Sequence, residues 1–212
     1  MNILVLIALV ITVWIGWRLC SNRHNLPCPA WLSWMVELDN PFAKAHKANE
    51  IIQMLPLQNG IRILDIGCGP GRVLLPLAKN IQDKGGHVTG LDIQADMIEK
   101  TKFKANGLGI TNVEFINSSI DEAKIDEPYD IILIICVLGE IPKNDRKSVI
   151  QKIARYLQPD GIISITETIF DPHFQSRKYV SSIMNEIGFA EDKFIGNKLA
   201  YTSHFKKQEN KE

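Results

Sequence analysis

The stretch LDIGCGPGR, Leu64 to Arg72, sets three glycines and a proline directly behind an apolar run. A backbone this bare turns sharply and lets another molecule come within contact distance, which a bulky side chain would prevent. In a strand–loop–helix unit such a loop lies beyond the carboxyl end of the strand, and the following helix points its N-terminus at whatever binds there. Glycines also serve plain tight turns, so the loop is informative only in company. A second apolar run, HVTGLDIQADM from His87 to Met97, ends its strand at Asp92, 21 residues beyond Gly71. A carboxylate there can take both hydroxyls of a ribose. The competing role for Asp92 is to cap a helix beginning at Gln94.

Working outward, strand-like runs fall at 61–66, 87–92, 112–117, 129–136 and 161–167. Helical patterns separate most of them: RVLLPLAKNIQ, QADMIEKTKFKANGL and NDRKSVIQKIARYL. This alternation predicts a doubly wound, mostly parallel α/β sheet with helices on both faces. The connection from Asn117 to Tyr129 is short and only weakly helical, so its crossover is reduced. The tail FAEDKFIGNKLAYTSHFKK reads as two further strands turning at Gly196 and Asn197, an antiparallel hairpin that brings the sheet to seven strands.

The loop distinguishes between nucleotide ligands. A dinucleotide fingerprint, G-x-G-x-x-G, needs its third glycine at position 72, which is Arg72; the spacing here is G-x-G-x-G. Asp65 sits two residues before Gly67, awkward for a pyrophosphate but useful to a ligand carrying an ammonium group. An amino-acid nucleoside suits both ends. ILDIGCGPGR with VTGLDIQADMI resembles the first two motifs of the class I S-adenosylmethionine-dependent methyltransferases, and the likeness continues through YDIILIICVLGEIP and LQPDGIISITETIFDPHF, from about Asn40 onward. The resemblance implies a Rossmann-like methyltransferase fold and S-adenosylmethionine as cofactor. Asp65 and the loop of Gly67, Cys68, Gly69 and Gly71 would then surround the methionine part, and Asp92, with Ile93 beside it, the ribose. Where the family usually places an aspartate against adenine, this chain has Asn117, Ser118 and Ser119; Ser119 is the candidate, and a helix cap is its alternative role.

Transfer from a sulfonium needs alignment of nucleophile, methyl and sulfur more than it needs a catalytic triad. The ends of the fourth and fifth strands would supply the residues nearest the methyl: Cys136, Leu138, Gly139 and Glu140, then Glu167, Asp171, His173 and Arg177. His173 and Glu140 are the candidate general bases for a hydroxyl or amine acceptor, against packing or capping for His173 and a structural or cofactor-side role for Glu140.

The amino terminus differs in kind. Ile3 to Trp17 carries no charge, and extension to Leu19 admits only Arg18. Some seventeen residues make a helix of roughly 26 Å, at the short end for a hydrocarbon core of about 30 Å. No basic n-region and no A-x-A site favour a cleaved signal peptide, and an all-round apolar surface is unlike a one-striped core helix. We read residues 1–20 as an N-terminal transmembrane helix, 21–39 as a linker or interfacial neck, and 40–212 as the methyltransferase domain. All four tryptophans, Trp14, Trp17, Trp31 and Trp34, lie in the first 34 residues, and Arg18 and Arg23 follow the span, which places the domain in the cytoplasm. Within the neck, AWLSWMVEL suits an amphipathic segment on lipid, a flap over the active site, or a packed connector. Asn40 and Pro41 then start a helix with Ala45, Ala48, Ile51, Ile52 and Leu55 on one face.

Composition narrows the function classes. Twenty-four basic residues balance twenty-four acidic ones, giving no footprint for nucleic acid. Cys20, Cys28, Cys68 and Cys136 show no metal spacing, so no metal is expected. The expectation is methyl transfer to a small, lipophilic acceptor near a membrane. A nicotinamide-dependent oxidoreductase and a cofactor-binding scaffold without turnover are the alternatives.

Overall fold

The computed structural model describes residues 43–125 and 128–208, together with 5, 9, 12, 15, 16, 20, 21, 28, 29 and 33–37. A short helix α1 (Ser33–Glu37) precedes a single 3₁₀ turn (Lys44–His46) and α2 (Ala48–Met54). Then follow β1 (Arg62–Ile66), α3 (Leu74–Gln82), β2 (His87–Asp92), α4 (Ala95–Gly107), β3 (Val113–Asn117) and β4 (Tyr129–Ile135). The chain closes with α5 (Arg146–Ile153), β5 (Leu157–Thr168), α6 (Arg177–Glu186), β6 (Phe189–Gly196) and β7 (Ala200–Lys207).

The seven strands lie in the order β3-β2-β1-β4-β5-β7-β6, with β7 antiparallel to both neighbours. β1 and β4 are parallel neighbours, and the order in which strands are added reverses between them, so the crevice beyond their carboxyl ends is the switch point at which such sheets bind ligands. The inner strands are buried on both faces, which is why they read as unbroken apolar runs. Ile63, Val88 and Ile131 pack under Leu74, Leu77 and Ile81 of α3. The alternate residues Leu64, Ile132 and Ile163 pack against Val149 and Ile150 of α5 and Val180 and Met184 of α6. Each such side chain contributes about 1.5–3 kcal/mol by leaving water. Pro76 is tolerated in α3 because it lies in the first turn, where its missing N–H has no helical acceptor.

Two local features depart from the sequence reading. The helix expected to run on from Asn40 and Pro41, which lie outside the described residues, breaks at Lys47 (ψ 138°). The Ala45 carbonyl accepts the Thr202 hydroxyl at 2.8 Å and the His46 carbonyl accepts Arg72 Nη1 at 2.7 Å, so side chains replace the amides of the next turn. The second is α6, which the pattern reading passed over; its start is capped by Ser176, whose hydroxyl accepts the Tyr179 amide at 3.4 Å. The transmembrane reading of 1–20 falls largely outside the described residues, and among those described no helix is long and apolar enough to cross a membrane.

Candidate cofactor and acceptor site

Asp65 closes β1 from within, 2% exposed. Burial pushes its carboxyl up to about 7; the Arg72 guanidinium opposes that shift and Asp92 adds to it. The loop beyond turns through glycines. A Cβ at Gly67 would overlap the Val137 side chain, whereas at Gly69, with φ of 51°, a Cβ would meet only the loop's own Gly67 carbonyl oxygen at 4.0 Å. Gly67 is therefore fixed by packing, and Gly69 is where the loop is open to a ligand. Cys68 is buried against Gly90, and burial raises its thiol far above the ordinary range, so it packs rather than reacts.

Asp92 joins the two loops. Its Oδ2 accepts the Gly69 amide at 2.8 Å and its Oδ1 the Gln94 amide at 2.8 Å. Burial raises its pKa, and these two bonds work against that rise. The helix N-cap position falls to Gln94, so Asp92 is not the cap of α4. Asn117 Nδ2 donates to the carbonyls of Asp92 and Ile93 at 2.9 and 3.0 Å and holds the same turn, beside which the Ile93 side chain is 63% exposed. Ser119 begins a turn, its carbonyl accepting the amides of Glu122 and Ala123.

Cys136, just past β4, has a left-handed backbone (φ 57°), unusual for a residue with a side chain. Its amide donates to the Thr166 carbonyl at 2.9 Å and its Sγ lies 3.5 Å from His46 Nε2. That nitrogen also faces Arg72 Nη2 at 3.1 Å; a guanidinium only donates, so Nε2 accepts and the ring is neutral. Burial, then Arg72, lowers the His46 pKa to about 3. His46 and Arg72 thus line the Asp65 end of the crevice, a role for which the sequence around His46 carries no signal.

The acceptor end is held by a hub that pattern reading missed. Gln175 donates its amide to Glu167 Oε2 (2.9 Å) and its Nε2 to the His173 carbonyl (2.5 Å). It accepts Arg146 Nη1 at its Oε1 (2.7 Å) and the Tyr201 hydroxyl at its carbonyl (2.9 Å). Arg146 also donates to the carbonyls of Gly139 (3.0 Å) and Ile141 (2.9 Å), so hydrogen bonds tie the loop after β4 to the one after β5. Gly139 lies so close that a Cβ there would overlap the His173 carbonyl oxygen. His173 itself is 3% exposed, its amide donating to Asp171 Oδ1 at 2.7 Å and its Nε2 2.8 Å from the Ser21 hydroxyl. Glu140 is half-buried; burial, then Asp171 and Asp92, pushes its carboxyl up to about 8, against an amide bond from Cys28. Leu138 is buried in the core, and Arg177 lies apart, paired with Glu191 and stacked over Phe194.

The described neck residues cross this same edge. Ser21 meets His173, the Cys28 carbonyl accepts Gln94 Nε2 at 3.1 Å, Ser33 accepts Lys100 Nζ at 3.1 Å, and Glu37 pairs with Lys104 at 2.6 Å. The described residues of AWLSWMVEL thus lie against α4. A separate groove of about 550 Å³, lined by Pro56, Ile61, Asp130, Gln158 and Lys206, opens at the amino ends of the strands, opposite the glycine loop. It is not part of the site. No group of three His, Cys, Asp or Glu side chains is arranged to hold a metal among the described residues.

A seven-stranded doubly wound sheet with a glycine loop and a paired carboxylate at its switch point defines a nucleoside-binding α/β protein. Residues 57–203 match the family model described as a methyltransferase domain, and the chain belongs to that family. It is 32% identical over 149 residues to a malonyl-[acyl-carrier protein] O-methyltransferase of Bacillus anthracis, covering 68% of this chain and 53% of that protein. It is 34% identical over 104 residues to a ubiquinone biosynthesis O-methyltransferase of Salmonella paratyphi A, covering 48% and 40%. The chain thus spans about half the length of these relatives or less. A SAM-dependent methyltransferase from Aquifex aeolicus superposes with a TM-score of 0.71 at 20% identity, over 84% of this chain and 98% of that one. Magnesium protoporphyrin IX methyltransferase from Synechocystis, with bound SAM, gives 0.67 at 16%, over 84% and 91%.

Proposed function

We propose that this chain transfers a methyl group from S-adenosylmethionine to a small lipophilic acceptor, on the cytoplasmic side of a membrane to which its N-terminal apolar segment holds it. The observation that carries the reading is the open backbone at Gly69 tied by its amide to Asp92. These residues fit the cofactor. Asp92 keeps lone pairs for ribose hydroxyls beyond its two backbone bonds, Ile93 offers an exposed apolar side chain for the adenine, and Ser119 lies on the turn beyond Asn117. Asp65, with Gly67, Cys68 and Gly71 framing the loop, suits an ammonium group, since a buried carboxyl raised to about 7 ionises readily beside a cation.

The cofactor supplies a methyl carbon on a sulfonium, whose departure as a neutral thioether needs no proton. The chain's task is then orientation and exclusion of water. Cys136 and Gly139 shape the wall at the reacting end, and Ser21, bonded to His173, lies beside it. Glu140 is the preferred base, because His173 Nε2 is already engaged by Ser21; His173 acts by positioning the loop against Gly139. The oxidoreductase alternative loses ground because position 72 carries Arg72, committed to His46. Incubation of the full chain with methyl-labelled S-adenosylmethionine and a membrane lipid extract tests the reading. Label in an extractable product is expected; binding without turnover would leave the scaffold alternative.

A further inference from the structure

Two large apolar side chains stand exposed together at the carboxyl end of the sheet. Phe170, 41% exposed, follows the end of β5, and Leu199, 38% exposed, precedes Ala200, which pairs with Thr168 at that same end. Their segments are bonded to each other: the Leu199 carbonyl accepts the Ile169 amide at 2.9 Å and the Thr168 hydroxyl at 3.2 Å. Lys198 is exposed beside them, while Asp171 turns its Oδ1 to the His173 amide.

The same loop holds the N-terminal segment. His173 Nε2 lies 2.8 Å from the Ser21 hydroxyl, both residues are buried, and Ser21 comes two residues after Leu19, where the apolar run ends. Two extended residues span at most about 7 Å. The headgroup layer of a bilayer is about 5–7 Å deep on each side of the hydrocarbon core. With the apolar run in a membrane, a domain tied at His173 has no slack to stand clear, and the rim beside His173 meets the headgroups. The amino rim lies a strand's length behind it, about 16 Å for the five residues of β1. Charge agrees with this orientation: Lys198 on the rim, and Arg18 and Arg23 on either side of Ser21 in the sequence, suit anionic headgroups.

We propose that the rim bearing Phe170, Lys198 and Leu199 docks on an anionic bilayer surface, so that the crevice opens towards lipid. The proposal rests on the reading above that the N-terminal segment lies in the membrane, and it names the face which the domain turns to that membrane. Phe170 and Leu199 enter the headgroup layer, where leaving water stabilises them, and Lys198 meets lipid phosphate. A lipophilic acceptor then passes from the bilayer to the wall of Cys136 and Gly139 without crossing bulk water.

The test is acetylation of the full chain, one copy per nanodisc of phosphatidylcholine and phosphatidylglycerol, by a water-soluble amine reagent, read at each lysine by mass spectrometry. Lys84 is the reference at the other rim: it is exposed, and its carbonyl accepts the Gly60 amide just before β1. With each rate taken relative to the same lysine in the denatured chain, Lys198 should react at least about tenfold more slowly than Lys84. Phe170→Ser combined with Leu199→Ser, both at exposed positions, should bring the two rates within about twofold while the melting temperature is maintained. Equal rates in the parent, or slow reaction of Lys198 that persists in the double variant, would overturn the proposal. Loss of the chain from the discs would instead sink the reading that its N-terminal segment holds it to a membrane.

Discussion

The Gly69 amide donates to Asp92 Oδ2 at 2.8 Å, across 23 residues of chain. One hydrogen bond therefore ties the glycine loop to the carboxylate that ends β2. Asp92→Ala leaves the amides of Gly69 and Gln94 without acceptors in a buried place, a cost of about 1–3 kcal/mol each when water cannot replace them. Affinity for S-adenosylmethionine should fall at least about tenfold. Calorimetry beside a denaturant titration separates the two effects; unchanged affinity in a folded variant would contradict the role.

Two glycines of one loop should fail differently. Gly67→Ala forces a methyl into Val137 and should lower stability by about 1–3 kcal/mol. Gly69→Ala costs only the strain of a left-handed alanine, about 1–2 kcal/mol, but sets its methyl in the ligand's path. Melting temperatures and cofactor titrations of the pair should show the larger binding loss at position 69.

Asp65 has a pH consequence with a definite sign. Its folded pKa, about 7, lies above an unfolded value near 4, so the native state holds more protons between those limits. Its stabilising contribution is fully present below about pH 4 and is lost as pH rises to about 7, at no more than about 1.4 kcal/mol per pH unit. Buried neutral His46 and His204 tilt the profile the other way, so the comparison is with Asp65→Asn. Urea titrations at pH 4 to 7 should show the variant gaining on the parent as pH rises; a constant difference would refute the assignment.

Arg146→Lys tests the hub. Lysine cannot reproduce a planar fork that reaches Gly139, Ile141 and Gln175 together. We expect a loss of about 2–4 kcal/mol in stability, since buried carbonyls lose a charged partner. In the folded fraction acceptor KM should rise more than cofactor affinity falls.

Sequence reading reached the sheet because inner strands buried on both faces leave unbroken apolar runs, and it reached Asp92 because the spacing from the glycine loop is local. It passed over α6, whose apolar residues Val180, Ile183 and Met184 are few among polar ones. It could not reach the partnership of His46 with Arg72, 26 positions apart, or that of Arg146 with Gln175, 29 apart, since no repeating spacing links them. Nor does the pattern of AWLSWMVEL say where it packs; the bonds of Ser33 and Glu37 to Lys100 and Lys104 do.

The most direct measurement is calorimetric titration of the full chain with S-adenosylmethionine and, separately, with NADH, alongside Asp92→Ala. The account predicts micromolar binding of S-adenosylmethionine that weakens at least about tenfold in the variant, and none of NADH. Binding of NADH, or of neither compound, would contradict it.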